Sequence, residues 1–185
     1  MDNIGWMAEE GRGQPVDAAE AQRWYRLAEA RGNAPARNHL ALLYARGKGV
    51  TRDDVAAVGG FRAASAQGLA PARHNLGYMV ANGLGGVPRA DLAAGVALQN
   101  LAREASPPSP EELPTLDASR LTAADRARSQ QLLAAFKASP NVLAVLDSIA
   151  GPPGINSLGP ATAGGNASSN GADGNTVAPP SATQR

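Results

Sequence analysis

A repeat of 36 residues is the feature that most constrains how this chain can fold. The segments PARNHLALLYARGKGV and PARHNLGYMVANGLGGV begin at Pro35 and Pro71 and keep the same register. Their matched positions are Pro35/Pro71, Ala36/Ala72, Arg37/Arg73, Leu40/Leu76, Gly47/Gly83 and Gly49/Gly85. The same interval leads back to Ile4, Gly11 and Gly13. Because a fixed period of about 20–50 residues is typical of repeat architectures, we expect stacked copies of one small unit.

Each copy is predicted to form two helices joined by a glycine-containing turn. In the second copy, the first helix spans about Pro35 to Arg46, and its Leu40, Leu43 and Tyr44 recur as on one buried helix face. The second helices start at capping aspartates and stop at glycines, namely Asp17 and Asp53, and Gly32 and Gly68. The Gly-x-Gly at residues 47–49 is therefore a repeated helix stop. A phosphate-binding loop would instead follow a strand and occur once.

These units resemble Sel-one-like repeats, the α/α relatives of tetratricopeptide repeats. The family pattern is Leu-Gly-x-x-Tyr, then Gly-x-Gly-Val, an Asp, and Ala-x-x-Trp-Tyr-x-x-Ala-Ala-x-x-Gly. The first copy supplies Ile4, Gly5, Gly11, Gly13, Asp17, Ala21, Trp24, Tyr25, Ala28 and Gly32; the second supplies Leu40, Ala41, Tyr44, Gly47, Gly49, Val50, Asp53, Ala57, Phe61, Ala64 and Gly68; the third supplies Leu76, Gly77, Gly83 and Gly85. The Trp-Tyr pair is Gly60-Phe61 in the second copy and is lost in the third, which carries one extra residue near Gly86.

The resemblance covers about residues 3–104 and implies an all-α solenoid. We expect the solenoid at 1–105, with repeats at about 1–34, 35–70 and 71–105. A Pro-rich linker or strap follows at 106–120, because SPPSPEELP forbids a helix. A helical cap is predicted at 121–150, starting at the N-cap Thr122. The Gly-, Pro- and Ser-rich tail at 151–185 is predicted to be disordered.

The residues that usually perform chemistry are scarce in this sequence. There is no cysteine, which excludes disulfides and thiolate metal sites. His39 and His74 have no carboxylate at ligand spacing, and Glu9 and Glu10 are adjacent on a predicted helix, so that their side chains diverge. We therefore expect no catalytic residue, no cofactor and no metal ion.

A row of large apolar side chains, Trp6, Leu42 and Tyr78, lies two residues after the predicted core positions Ile4, Leu40 and Leu76. Such a row points away from the core and lines the concave side of a solenoid. Aromatic anchors flanked by polar groups are typical of protein-binding surfaces. The predicted partner-binding face comprises Trp6, Glu9, Glu10, Asn38, Leu42, Arg46, His74, Tyr78 and Asn82. The alternative is that the row packs on a missing N-terminal repeat or on the C-terminal helices.

The resemblance and the scarcity of chemical groups favour a non-enzymatic scaffold that binds a protein segment in its concave groove. Two alternatives stay open: a hydrolase-associated or enzyme-regulating repeat protein, and a structural fragment of a longer array. The net charge of +1 argues against a nucleic-acid partner. No apolar run reaches the ~20 residues that span a bilayer, so membrane insertion is not expected. A cytoplasmic location is expected by default, since no signal peptide is visible, with the periplasm as the alternative if the N-terminus is truncated. The alanine-rich composition suggests a bacterial source.

Overall fold

The computed structural model describes residues 1–13 and 15–150, and this part of the chain contains helices and no strand. The α-helices are α1 (Asp2–Glu10), α2 (Ala18–Glu29), α3 (Ala34–Arg46), α4 (Asp54–Ala66), α5 (Ala70–Asn82), α6 (Leu92–Ala105), α7 (Ala123–Ala138) and α8 (Val142–Ala150). A single 3₁₀ turn, Ala118–Arg120, precedes α7. The all-α prediction is confirmed, whereas the predicted disordered tail, 151–185, lies outside the described residues.

The helices of each pair begin and end at the signals that the sequence carries. Asp17, Asp53 and Asp91 cap α2, α4 and α6, and each carboxylate accepts a hydrogen bond from the backbone N–H three residues later. This arrangement satisfies one of the amides that a helix N-terminus leaves unpaired. At the other end, α3 stops at Gly47, which has φ 66° and so takes the left-handed conformation that glycine adopts without strain.

Consecutive helices pack against each other from α1 to α6, as expected of stacked helix pairs, and α7 packs on α6. A smaller core between the first pair and α3 is centred on Tyr25 and Leu43, and the main core is centred on Phe61, Leu76 and residues of the later helices. The last helix, α8, turns back and contacts α4 as well as α7. There Arg62 Nη2 donates to Asp147 Oδ2 at 2.8 Å, and this ion pair is largely buried.

Small residues set the distance between paired helices. A Cβ built on Gly60 of α4 would lie 2.8 Å from the Cβ of Ala41 on α3. A Cβ on Gly5 of α1 would lie 2.6 Å from the ring of Tyr25 on α2. Both distances are shorter than ordinary contacts between carbon atoms, so these helices approach more closely than larger side chains would permit.

One predicted core position is exposed. Ile4 is 42% exposed, whereas its repeat equivalents Leu40 and Leu76 are buried. Leu40 packs in a cluster with Ala21 and Ala28 of α2, the helix that precedes its own. α1 is the first helix that the structure describes, so no preceding helix among the described residues covers Ile4.

Candidate functional site

The Pro-rich segment at residues 106–117, which we call the strap, lies across the helices. It leaves α6, makes a turn in which Glu112 N donates to Ser109 O at 3.1 Å, and continues without regular structure to the 3₁₀ turn. Its contacts reach α1, α3, α5 and α6. We call the helical surface beneath it the strap face, and define it by Trp6, Arg46, His74, Asn75 and Gln99.

Four successive carbonyl oxygens of the strap, at residues 111–114, accept hydrogen bonds from side chains of the strap face. Arg46 Nη2 donates to the first two, at 2.5 and 3.1 Å. His74 Nε2 donates to the third at 2.9 Å, and Gln99 Nε2 donates to the fourth at 3.1 Å. Because these bonds go to main-chain atoms, they hold the strap whatever its side chains are.

Two amide N–H groups of the strap are bound as well. Leu113 N donates to Asn75 Oδ1 and Leu116 N donates to Gln99 Oε1, both at 2.8 Å. Asn75 is 0% exposed and Gln99 is 2% exposed. The Nδ2 of Asn75 donates in turn to Asn38 Oδ1 at 2.9 Å, which fixes the orientation of the amide. Buried polar atoms need such partners, since leaving one unpaired costs about 1–3 kcal/mol.

The side chains of the strap add a second, more selective set of contacts. Leu113 is 8% exposed and belongs to the main core. Glu111 Oε1 accepts from Trp6 Nε1 at 3.0 Å. The Glu112 carboxylate accepts from Ser109 N at 3.0 Å and lies 3.6 Å from His74 Nδ1. The strap thus presents two carboxylates followed by one buried leucine to the strap face.

Gln99 occupies a position that is aromatic in the other two repeats. Tyr25 and Phe61 each lie eight residues after the capping aspartate of their helix, and so does Gln99. Both aromatic side chains are fully buried. In the third repeat the same buried position therefore carries an amide, which bonds to the strap through both its donor and its acceptor.

The structure brings together some of the residues predicted to bind a partner and separates others. Trp6, Arg46 and His74 form hydrogen bonds to the strap, and Asn38 accepts a hydrogen bond from Asn75. Leu42 is 4% exposed and lies in the main core, against which Tyr78 also packs. Asn82 is exposed and donates to Tyr78 O. Asn75 and Gln99 were missed by the sequence analysis; a polar residue at an aromatic core position was the signal for Gln99.

Glu9 and Glu10 lie apart from the strap, beside Lys48. The Glu9 carboxylate is buried and accepts from Tyr25 Oη at 2.8 Å and from Lys48 Nζ at 3.0 Å. Burial, and then the negative charge of Glu9, raise the pKa of the Tyr25 phenol far above its usual value. Burial alone would lower the pKa of Lys48, but its bonds to Glu9 and Glu10 outweigh that effect and raise it. This cluster ties the first repeat to the turn after α3.

An open cleft of about 220 Å³ lies beside the strap, at the N-terminal ends of α3 and α5. Its lining includes Pro35, His39 and Pro71 on the helices and Ser109 and Glu111 on the strap. Within residues 1–13 and 15–150, no group of three or more His, Cys, Asp or Glu side chains is placed to hold a metal ion. Nor is any helix in this part of the chain long and apolar enough to cross a bilayer.

Comparison with known proteins gives two findings. The family model described as Sel1 repeat matches residues 1–33, 34–69 and 70–103. The crystal structure of a Sel1 repeat protein from Oxalobacter formigenes has a similar fold, with a TM-score of 0.52 and 24% sequence identity. The similarity covers 76% of this chain and 47% of that one, so this chain matches about half the length of its structural neighbour. No curated protein matches.

Proposed function

The chain belongs to the Sel1 repeat family, whose members generally act as protein-interaction scaffolds, and on that premise we propose that it is a non-enzymatic adaptor that binds a protein segment on the strap face. The residues proposed to contact the segment are Trp6, Arg46, His74, Asn75 and Gln99, with Asn38 in support. Tyr78 and Asn82 lie on the same helix, α5, as His74 and Asn75.

The observation that carries this proposal is the set of side-chain bonds to four successive carbonyl oxygens. Side chains that bond only to main-chain atoms suit any polypeptide that follows the same path. The buried amides of Asn75 and Gln99 favour a protein segment as the ligand, since each offers its oxygen to a backbone N–H. A nucleic acid would need a strongly basic surface, whereas the net charge of the chain is +1.

A peptide-display selection against the full-length chain tests the proposal. Selected peptides should bind Arg46→Ala at least about tenfold more weakly than the parent, since a hydrogen bond to a charged group contributes about 1.5–3 kcal/mol. The matched control is Arg103→Ala, because Arg103 is also exposed near the end of a helix but donates only to Asn100 of its own helix. Fluorescence anisotropy measures both affinities. Equal losses in the two variants would show that the segment binds elsewhere.

A further inference from the structure

We propose that the strap is an internal ligand of the strap face, and that the partner is a segment of the same chemistry which takes its place: two adjacent carboxylates followed by Leu-Pro. This inference rests on the proposed function and adds to it the kind of sequence that is recognised and the competition that limits its binding.

Selectivity comes from the side chains that the strap face receives at each position. The first acidic position meets the indole N–H of Trp6, and the second meets the imidazole of His74. The next position is buried in the main core, and leucine fills it. Pro114 fits the fourth position because its carbonyl oxygen accepts a bond from Gln99, and the N–H that proline lacks is not needed there. The pattern that fits is therefore Glu-Glu-Leu-Pro.

The strap is attached in a way that permits its release. Residues 106–111 are exposed, and the strap's buried side chains are confined to two adjacent residues, Glu112 and Leu113. The helices on either side of the strap, α6 and α7, pack directly against each other. Their contact does not pass through the strap, so the strap can leave its face while the helices stay in place.

Competition follows from the tether. A segment joined to its own binding site at both ends has an effective concentration in the millimolar range for a short flexible connection. A free partner binds only the fraction of molecules whose strap is open, so its apparent affinity falls by that fraction. A change that loosens the strap should therefore strengthen binding of a free segment.

The test uses the full chain and a labelled peptide of residues 108–117, PSPEELPTLD. The loosened variant carries Glu111→Ser and Leu113→Ser, which remove two of the side-chain anchors, keep Glu112 and leave the strap face intact. We expect it to bind the peptide at least tenfold more tightly than the parent. A peptide with serine in place of Leu113 should bind the loosened variant at least tenfold more weakly. Adding Gln99→Leu to the loosened variant should abolish binding of the unchanged peptide. A loosened variant that melts like the parent yet binds no better would overturn the proposal.

Hydrogen exchange on the unmodified chain gives an independent answer if the loosened variant does not fold. The amides of Leu113 and Leu116 should exchange at least tenfold faster than that of Met79 in α5, through an opening that leaves the helices folded. Exchange of these two amides only on global unfolding would rule out release of the strap. If the strap fails either test while display-selected peptides still depend on Arg46, the inference falls and the proposed function stands. Because Arg46 also holds the strap, its effect on a free segment is measured in the loosened variant. If the strap opens but no segment depends on Arg46 there, the proposed function falls.

Discussion

Gly77 of α5 and Gly95 of α6 lie so close that a Cβ on Gly77 would be 2.7 Å from the Gly95 carbonyl oxygen, and a Cβ on Gly95 would be 2.5 Å from that of Gly77. The two helices therefore meet backbone to backbone. This contact brings Gln99 of α6 beside His74 and Asn75 of α5. As a result, Gln99 Nε2 lies 3.4 Å from His74 O. The close contact of Gly77 with Gly95 thus positions the α5 and α6 residues of the strap face next to each other.

Gly77→Ala should lower the free energy of unfolding by about 2 kcal/mol or more, because the new methyl group meets main-chain atoms that cannot move aside. The matched control is Gly59→Ala in the interior of α4, where an added Cβ meets nothing within 4 Å. That change should stabilise the chain by about 0.5–1 kcal/mol through helix propensity. Urea denaturation followed by circular dichroism measures both. The same sign of effect in the two variants would contradict the close contact.

Leu43→Ala and Leu40→Ala should each cost about 2–5 kcal/mol, the usual range for truncating a buried leucine. Both side chains lie on α3 and are buried in the smaller core, which α3 shares with the helices of the first repeat. Leu27→Ala on α2 serves as the control, since Leu27 is 40% exposed and should change stability by less than about 0.5 kcal/mol. Equal effects at Leu27 and Leu43 would mean that the faces of α2 and α3 are wrongly assigned.

Gln99→Leu should release the strap without unfolding the helices. It removes the bonds to Pro114 O and Leu116 N, but the leucine still fills the buried position. In a Trp24→Phe background, Trp6 is the sole tryptophan and donates to Glu111 of the strap. Its fluorescence should shift to the red as the indole becomes more exposed. Asn100→Ala, on the same helix, should leave the emission unchanged. An unshifted Gln99→Leu spectrum would show that the other bonds suffice to hold the strap.

Stability should fall as the pH rises above about 10, the pKa of an ordinary tyrosine in an unfolded chain. The folded chain keeps the Tyr25 phenol protonated because burial and Glu9 raise its pKa, so the unfolded chain binds fewer protons at high pH. The raised pKa of Lys48 acts in the same direction, since its contribution is also lost as the pH rises. Tyr25→Phe should flatten the dependence of unfolding free energy on pH between about 9 and 11, whereas Tyr44→Phe keeps Tyr25 and should retain it. Parallel curves for the parent and Tyr25→Phe would disprove this assignment.

The helices could be predicted from the sequence because their signals are local. The capping carboxylate of Asp53 and the left-handed Gly47 act within one turn of their own helix. They specify where a helix begins or ends whatever surrounds it. The exposed position of Ile4 could not be predicted in the same way, because burial at that repeat position depends on a preceding helix.

The path of the strap could not be predicted because most of the groups that hold it lie on distant elements of the chain. Residues 106–117 have no apolar period, and their position is set by Asn75 and Gln99, which lie on other elements. The third repeat gains two residues between Gly85 and Asp91, one more than the sequence indicated, so Gln99 aligns with the aromatic positions only when counted from its cap, Asp91. For this reason, comparison of the repeat motifs at a fixed period of 36 residues does not reveal that Gln99 replaces an aromatic residue in the strap face.

The return of α8 to α4 alters the order in which the array can come apart. In a plain stack each repeat touches only its neighbours, so unfolding spreads inward from the ends. Here the Arg62–Asp147 ion pair joins residues 85 apart and anchors the last helix to the second repeat. The α8 helix cannot fray unless its contact in the middle of the stack also breaks. Amide exchange in α8 should accordingly follow that of α4, and the stack from the second repeat onward should melt as one cooperative unit.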